Sequence, residues 1–178
     1  MIELKRARTL QDSPGVILNQ ARQNKEVVYG AQAMNKQVSP FLRRPSQDYD
    51  LYSKKPLSSA QQLERSLDRR SGGNNYFVKP AVHAGTFKVQ EKGNDNLPRT
   101  KDDVQVADYT QQPQGVVSRL LGGIRYVTLG SIEQRKKQIL QDPKEEYRHA
   151  KDRRDVGIIQ QARESQERKK FFPSLRWR

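Results

Sequence analysis

Cysteine is absent from the 178 residues, and His83 and His149 are the two histidines. Without cysteine there are no disulfides and no thiolate metal sites, which excludes a disulfide scaffold and a zinc module. Two histidines exclude a multi-histidine metal cluster. No apolar run reaches membrane-spanning length, and no signal-type segment opens the chain. Apolar residues make up 33% of the chain and mean hydropathy is −1.00. The core must therefore be lean, and the length suits one core of ordinary domain size. These absences predict a soluble, cytoplasmic protein with no membrane partner.

Positive charge is abundant instead. Thirty-four Lys and Arg against 20 Asp and Glu leave a formal net charge of +14. Such an excess favours a polyanionic partner through counterion release and long-range attraction.

Residues 1–12 are basic and patternless and are expected to form a mobile arm. Ser13-Pro14 offers an N-cap and a first-turn proline for a helix ending near Lys25. Val27-Val28-Tyr29 reads as a buried strand, Gly30 closes it, and a short helix follows over Ala31 to Val38. After a basic loop carrying Arg43 and Arg44, Asp48 to Tyr52 reads as a second strand. Ser58 is placed to cap a helix running to about Arg70, with Leu63 and Leu67 four residues apart. Phe77 to Gln90 reads as extended with a break at Pro80, and Glu91 to Lys101 as a polar loop. Val104 to Tyr109 is a third strand, Gly115 to Gly123 a helical or turn connection, and Ile124 to Leu129 another strand. Ser131, with Gln134 three residues on, offers a capping box, and further helix follows Pro143.

Asp48 and Asp50 carry the chemistry. Carboxylates at i and i+2 on an extended segment share one face, while Tyr49 and Leu51 point to the other. Two such carboxylates repel unless a cation lies between them. A hard divalent ion takes carboxylate oxygens and leaves room for substrate phosphates. The alternative is a solvated strand end. Asp108 shares a face with Val104 and Val106, so a carboxylate ends an otherwise apolar row.

Tyr29-Gly30-Ala31, then Asp48-x-Asp50, then Asp108 form a frame that resembles the nucleotidyltransferases of the DNA polymerase β superfamily. Ile124 to Leu129, Arg135-Lys136-Lys137 and the stretch Arg148-x-x-Lys151-Asp152-x-x-Asp155 are similar to small stand-alone, abortive-infection-type members. The resemblance covers roughly Val27 to Gln160. Ala31 stands where Ser or Gly is usual, and the spacer to Asp48 is longer than common. Asp102 and Asp103 compete with Asp108 for the third carboxylate.

The resemblance implies an α/β (α+β) fold: a palm with a mixed β-sheet flanked by helices, plus C-terminal helices. It implies a nucleotidyltransferase core over 13–130, a helical extension over 131–170 and a basic aromatic tail over 171–178. It also implies transfer of NMP from an NTP to an acceptor hydroxyl. Mg²⁺, with Mn²⁺ as its substitute, would be held by Asp48, Asp50 and Asp108. Gly30, Ala31, Arg43, Arg44, Ser46 and Lys151 would contact the nucleotide, through helix-start N–H groups and cationic forks. Arg43 and Arg44 have the alternative of a solvated loop. Lys151, with Arg148, Asp152 and Asp155, has that of helix-surface ion pairs. His83 and His149 read as structural. The basic charge favours an RNA or DNA acceptor. The competing functions are a non-catalytic nucleic-acid-binding or assembly protein, and an antitoxin-type enzyme that adds AMP to a protein partner. Arg168 to Phe172 and Leu175 to Arg178 mix cations with aromatics, as single-strand binders do, or pack on the core.

Overall fold

The computed structural model describes residues 2–171, with side chains described from 13 to 168. The tail from Phe172 to Arg178, and the side chains of Lys169 to Phe171, lie outside the described residues.

Helix α1 (Ile2–Asn24) leads into β1 (Val27–Tyr29), α2 (Gly30–Gln37) and β2 (Tyr49–Ser53). Then come α3 (Pro56–Ser71), the hairpin β3 (Tyr76–Pro80) and β4 (Thr86–Glu91), and β5 (Val104–Gln111). A second hairpin, β6 (Ser118–Leu121) and β7 (Ile124–Val127), precedes α4 (Leu129–Ile139) and α5 (His149–Phe171). The strands form one mixed seven-stranded sheet in the order β3-β4-β5-β2-β1-β7-β6. Parallel pairing joins β1 to β7 and β2 to β5, and the remaining neighbours are antiparallel.

The two faces of the sheet are treated differently. Val28, Leu51, Val89, Ala107 and Tyr109 are fully buried on one of them. Helices α1 and α3 cover this face with Ile17, Ala21, Ala60, Leu63 and Leu67. Gln20 of α1 ties the layers together, its Nε2 donating to Tyr109 Oη and to the Ser59 carbonyl. On the other face, α2 packs on β1, β2 and β7 and against α4, which packs on α5. The strands β5 and β4 beyond them line an open cleft.

Several local expectations are corrected. Helix is continuous from Ile2, so residues 2–12 are not patternless backbone and Ser13-Pro14 lies inside α1. Proline already has a helical φ, and its place there gives up one backbone hydrogen bond. α3 starts at Pro56, two residues before the expected cap Ser58. α4 is capped by Thr128, whose hydroxyl accepts from the Ser131 N–H, and not by Ser131. The connection expected at Gly115 to Gly123 contains strand β6. Gly122 and Gly123 both take positive φ (59° and 79°) in a tight two-residue hairpin turn.

Candidate active site

Gly30 sits where β1 turns into α2, with φ +66°. A Cβ there would lie 2.1 Å from Asp50 Oδ2. The glycine lets the Asp50 carboxylate press against the main chain at the start of α2. Asp50 is the register partner of Tyr29 on β1 and of Asp108 on β5, so Asp50 and Asp108 stand side by side on one face. Asp48 lies just before β2, with Oδ1 accepting from Ser46 Oγ (3.1 Å) and Oδ2 from Gln105 Nε2 (3.0 Å).

This cluster is short of positive charge. Burial, then the charges of Asp48 and Asp108, push the Asp50 carboxyl up to about 7, against smaller pulls from Lys151 and Arg135. Burial also raises Asp108, to about 6, although Lys88 works the other way. Lys88 Nζ is 3.8 Å from Asp108 Oδ2 and donates to Gln105 Oε1 at 2.7 Å. Asp108 Oδ1 is buried without a hydrogen-bond partner. Asp102 and Asp103 serve elsewhere: they accept from Asn94, Gly93 and Thr100 and brace the loop before β5.

The facing wall is basic. Asp152 and Asp155, both 0% exposed, stand three residues apart on α5. Lys136 Nζ of α4 reaches Asp152 Oδ1 (2.5 Å) and Asp155 Oδ2 (2.7 Å). Arg44 Nε lies 2.7 Å from Asp155 Oδ1, and Arg148 Nε 2.8 Å from Asp152 Oδ2. Burial alone would raise the Asp152 carboxyl, but the hydrogen bonds and charges of Lys136 and Arg148 hold it below its ordinary value. Arg135 donates to Tyr52 Oη and lies 5.7 Å over the Tyr29 ring, which stacks on Tyr52 at 3.9 Å. Between the walls is a cleft of about 910 Å³, within the roughly 300–1,000 Å³ range of small-molecule sites.

No protein-family profile and no curated protein matches the chain. Among solved structures, the Megavirus polyadenylate synthase matches with a TM-score of 0.69 at 20% identity, over 91% of this chain and 32% of that one. JHP933 from Helicobacter pylori matches with a TM-score of 0.54 at 14% identity, over 86% of this chain and 66% of that one. The chain has the nucleotidyltransferase fold. It spans about a third of the length of the polyadenylate synthase and about two thirds of JHP933.

On this nucleotidyltransferase fold, Gly30, Ala31, Arg44, Ser46, Asp48, Asp50, Asp108 and Lys151 all line the one cleft. Arg43 does not: it is exposed on the loop outside it. Arg44 is no solvated loop residue, since Asp155 grips it. The helix-surface pairing expected around Lys151 forms for Arg148 with Asp152, while Asp155 turns inward to Lys136 and Arg44. His149 Nε2 lies 2.9 Å from the Ile139 carbonyl, a structural tie, and His83 lines the cleft rim. The cleft also contains Lys88, Thr86, Thr110 and Arg135, which the sequence did not single out for the site. Thr86 and Lys88 alternate with buried Val89 along β4, but their partners on β5 come from 24 and 20 residues further on.

Among the described residues, no three His, Cys, Asp or Glu side chains are grouped so as to hold a metal ion by themselves. The donor set still fits a divalent ion shared with a ligand. Two like-charged carboxylates are held in one register, and Asp108 Oδ1 has no hydrogen-bond partner.

Proposed function

We propose that this chain transfers NMP from an NTP to an acceptor hydroxyl, on a nucleic acid. The observation that carries the reading is the acidic trio Asp48, Asp50 and Asp108 in one cleft with the glycine-led helix start and a basic wall. The triphosphate lies between the start of α2 and Arg44, Lys136, Arg148 and Lys151, whose charges match it. Asp48, Asp50 and Asp108 are the groups to hold Mg²⁺ or Mn²⁺. When bound, that ion supplies charge stabilisation to the phosphate being transferred.

The acceptor oxygen attacks the α-phosphorus, the α–β phosphoanhydride bond breaks, and pyrophosphate leaves. Asp108 Oδ1, which has no hydrogen-bond partner, takes the hydroxyl proton. Arg135, stacked over Tyr29, anchors the cleft floor between α4 and β1. The likeness to a polyadenylate synthase favours ATP as donor, and the +14 charge favours a nucleic-acid acceptor over a protein. A purely basic binding protein would gain nothing from three carboxylates lining its cleft.

The test incubates the protein with each α-labelled NTP, Mg²⁺ or Mn²⁺, and RNA, DNA or tyrosine-bearing protein acceptors. Label should appear on nucleic acid, and Asp50→Ala should reduce it by at least about 100-fold, as losing several kcal/mol of charge stabilisation requires. No labelling of any acceptor by the wild type, or full labelling by the variant, would overturn the reading.

A further inference from the structure

The row of residues that contains the carboxylates continues beyond them. Tyr29, Asp50, Asp108, Lys88 and Lys79 are register partners in turn across β1, β2, β5, β4 and β3. Their side chains therefore leave the same face of the sheet. At about 4.8 Å per strand, Lys79 stands about 10 Å from Asp108 along the row.

Like charges directly opposite one another destabilise a strand pair, and the row contains two such pairs of opposite sign. Asp50 beside Asp108 is the acidic pair, and Lys88 beside Lys79 the basic one. Asp108 and Gln105 engage Lys88, but Lys79 has no ion-pair partner among the described residues. The hairpin does not need the lysines for its core, because Val78 opposite buried Val89 supplies its apolar side. The positive charge on the open face is surplus to the fold.

We infer that the open face of β5, β4 and β3 is the acceptor path. Lys88 and Lys79 hold backbone phosphates of a single-stranded nucleic acid whose terminal hydroxyl lies at Asp108. This inference rests on the nucleotidyl-transfer reading and names the path taken by its acceptor. The donor triphosphate has its own cations across the cleft, on α4, α5 and the Arg44 loop, whereas Lys88 and Lys79 lie on the other side of the carboxylates. Lysine suits the task because it contacts phosphate as a point charge without dictating base or geometry. The β3–β4 turn beside the row presents Val82, 99% exposed, and His83, which lines the cleft rim. They offer an apolar and a flat surface beside the phosphate track, of the kind unpaired bases rest on.

The test is fluorescence anisotropy of a labelled 12-nucleotide single-stranded RNA, and its DNA counterpart, across a sodium chloride series. Wild type, Lys79→Gln, Lys79→Arg and the Lys79→Gln/Lys88→Gln double variant are compared, with ATP binding measured by calorimetry on each. Lys79→Gln should weaken binding to all sequences alike and flatten the log–log salt slope by about 0.7, and the double variant by about 1.4. Lys79→Arg should keep the slope, and ATP affinity should be unchanged by Lys79→Gln. Lys79 is not part of the hydrophobic core, so a folding defect is not expected there, and its single variant decides the matter even if the double variant misfolds. An unchanged salt slope, or loss of ATP binding in its place, overturns the inference. If the slope responds but no acceptor is ever labelled, the surface stands and the transfer reading falls. If oligonucleotide is labelled while the slope ignores Lys79, transfer stands and this path falls.

Discussion

One pair of aspartates lines the cleft and a second lies behind its basic wall, and the two are buried in opposite ways. Asp152 and Asp155 are wholly buried, yet Lys136, Arg44 and Arg148 meet them at 2.5–2.8 Å. Among the described residues, Asp50 and Asp108 have one ion pair between them, Lys88 at 3.8 Å from Asp108, and Lys151 and Arg135 act on Asp50 only weakly. Cations therefore hold the Asp152 carboxyl below its ordinary value, whereas burial and like charge lift Asp50 to about 7 and Asp108 to about 6. One pair ties helices α4 and α5 to the loop before β2. The other holds unsatisfied negative charge in readiness for a cation. The same residue type stabilises the fold in the first place and opposes it in the second.

The sharpest way to break the comparison is to make one substitution in each pair. Asp155→Asn leaves Lys136 and Arg44 short of a buried partner, and it should lower unfolding free energy by about 3–5 kcal/mol. Asp50→Asn should do the reverse in EDTA at pH 8, raising stability by about 2 kcal/mol, because it removes a buried charge among like charges. Denaturant titration of both variants checks the signs. Equal signs would mean that the two pairs are not different in kind.

Protonation sharpens the contrast. Asp50 binds its proton more tightly when folded (about 7) than when unfolded (3.8). The folded state thus carries more protons between those values, and stability of the metal-free protein should fall as pH rises from about 4 to about 7, then level off. Asp152 works the other way: its contribution is complete above the ordinary carboxylate range and is lost as pH falls through its lowered folded value. Melting temperatures across pH 3–9, with and without Asp50→Asn, should show the descending limb flatten in the variant.

Gly30→Ala tests how the acidic pair is seated. The new methyl group meets Asp50 Oδ2 and must adopt φ +66°, so stability should drop by about 1–2 kcal/mol. The displaced carboxylate should also weaken Mn²⁺ binding, read by calorimetry. Metal stabilisation has a ceiling set by mass action. Mg²⁺ at 100 times its dissociation constant should raise stability by about 2.7 kcal/mol at most, and by less in Asp50→Asn.

Much of the local structure was legible from residues close in sequence. Val27-Val28-Tyr29 before Gly30, the alternation around Asp48 and Asp50, and Val104 to Asp108 all mark strands whose faces follow from period 2. The Gly122-Gly123 pair marks a turn, but strand β6 before it does not show in the sequence, since Ser118 to Leu121 is too short and exposed to show alternation. Ser58 and Ser131 looked like caps because serine caps helices in general, but Pro56 and Thr128 had already started those helices.

The sequence alone determined that two carboxylates share a strand face, that a glycine opens the helix after β1, and that charge is strongly positive. These are properties of neighbours along the chain, set by backbone geometry and composition. Only the tertiary structure decided which acid stands beside Asp50, because β2 and β5 are parallel neighbours joined through α3 and a hairpin. It also decided that Arg44 belongs to Asp155, 111 residues away, and that Lys88 and Lys79 extend the row of carboxylates. Strand order and register set those pairings, and neither is written in any local stretch of residues.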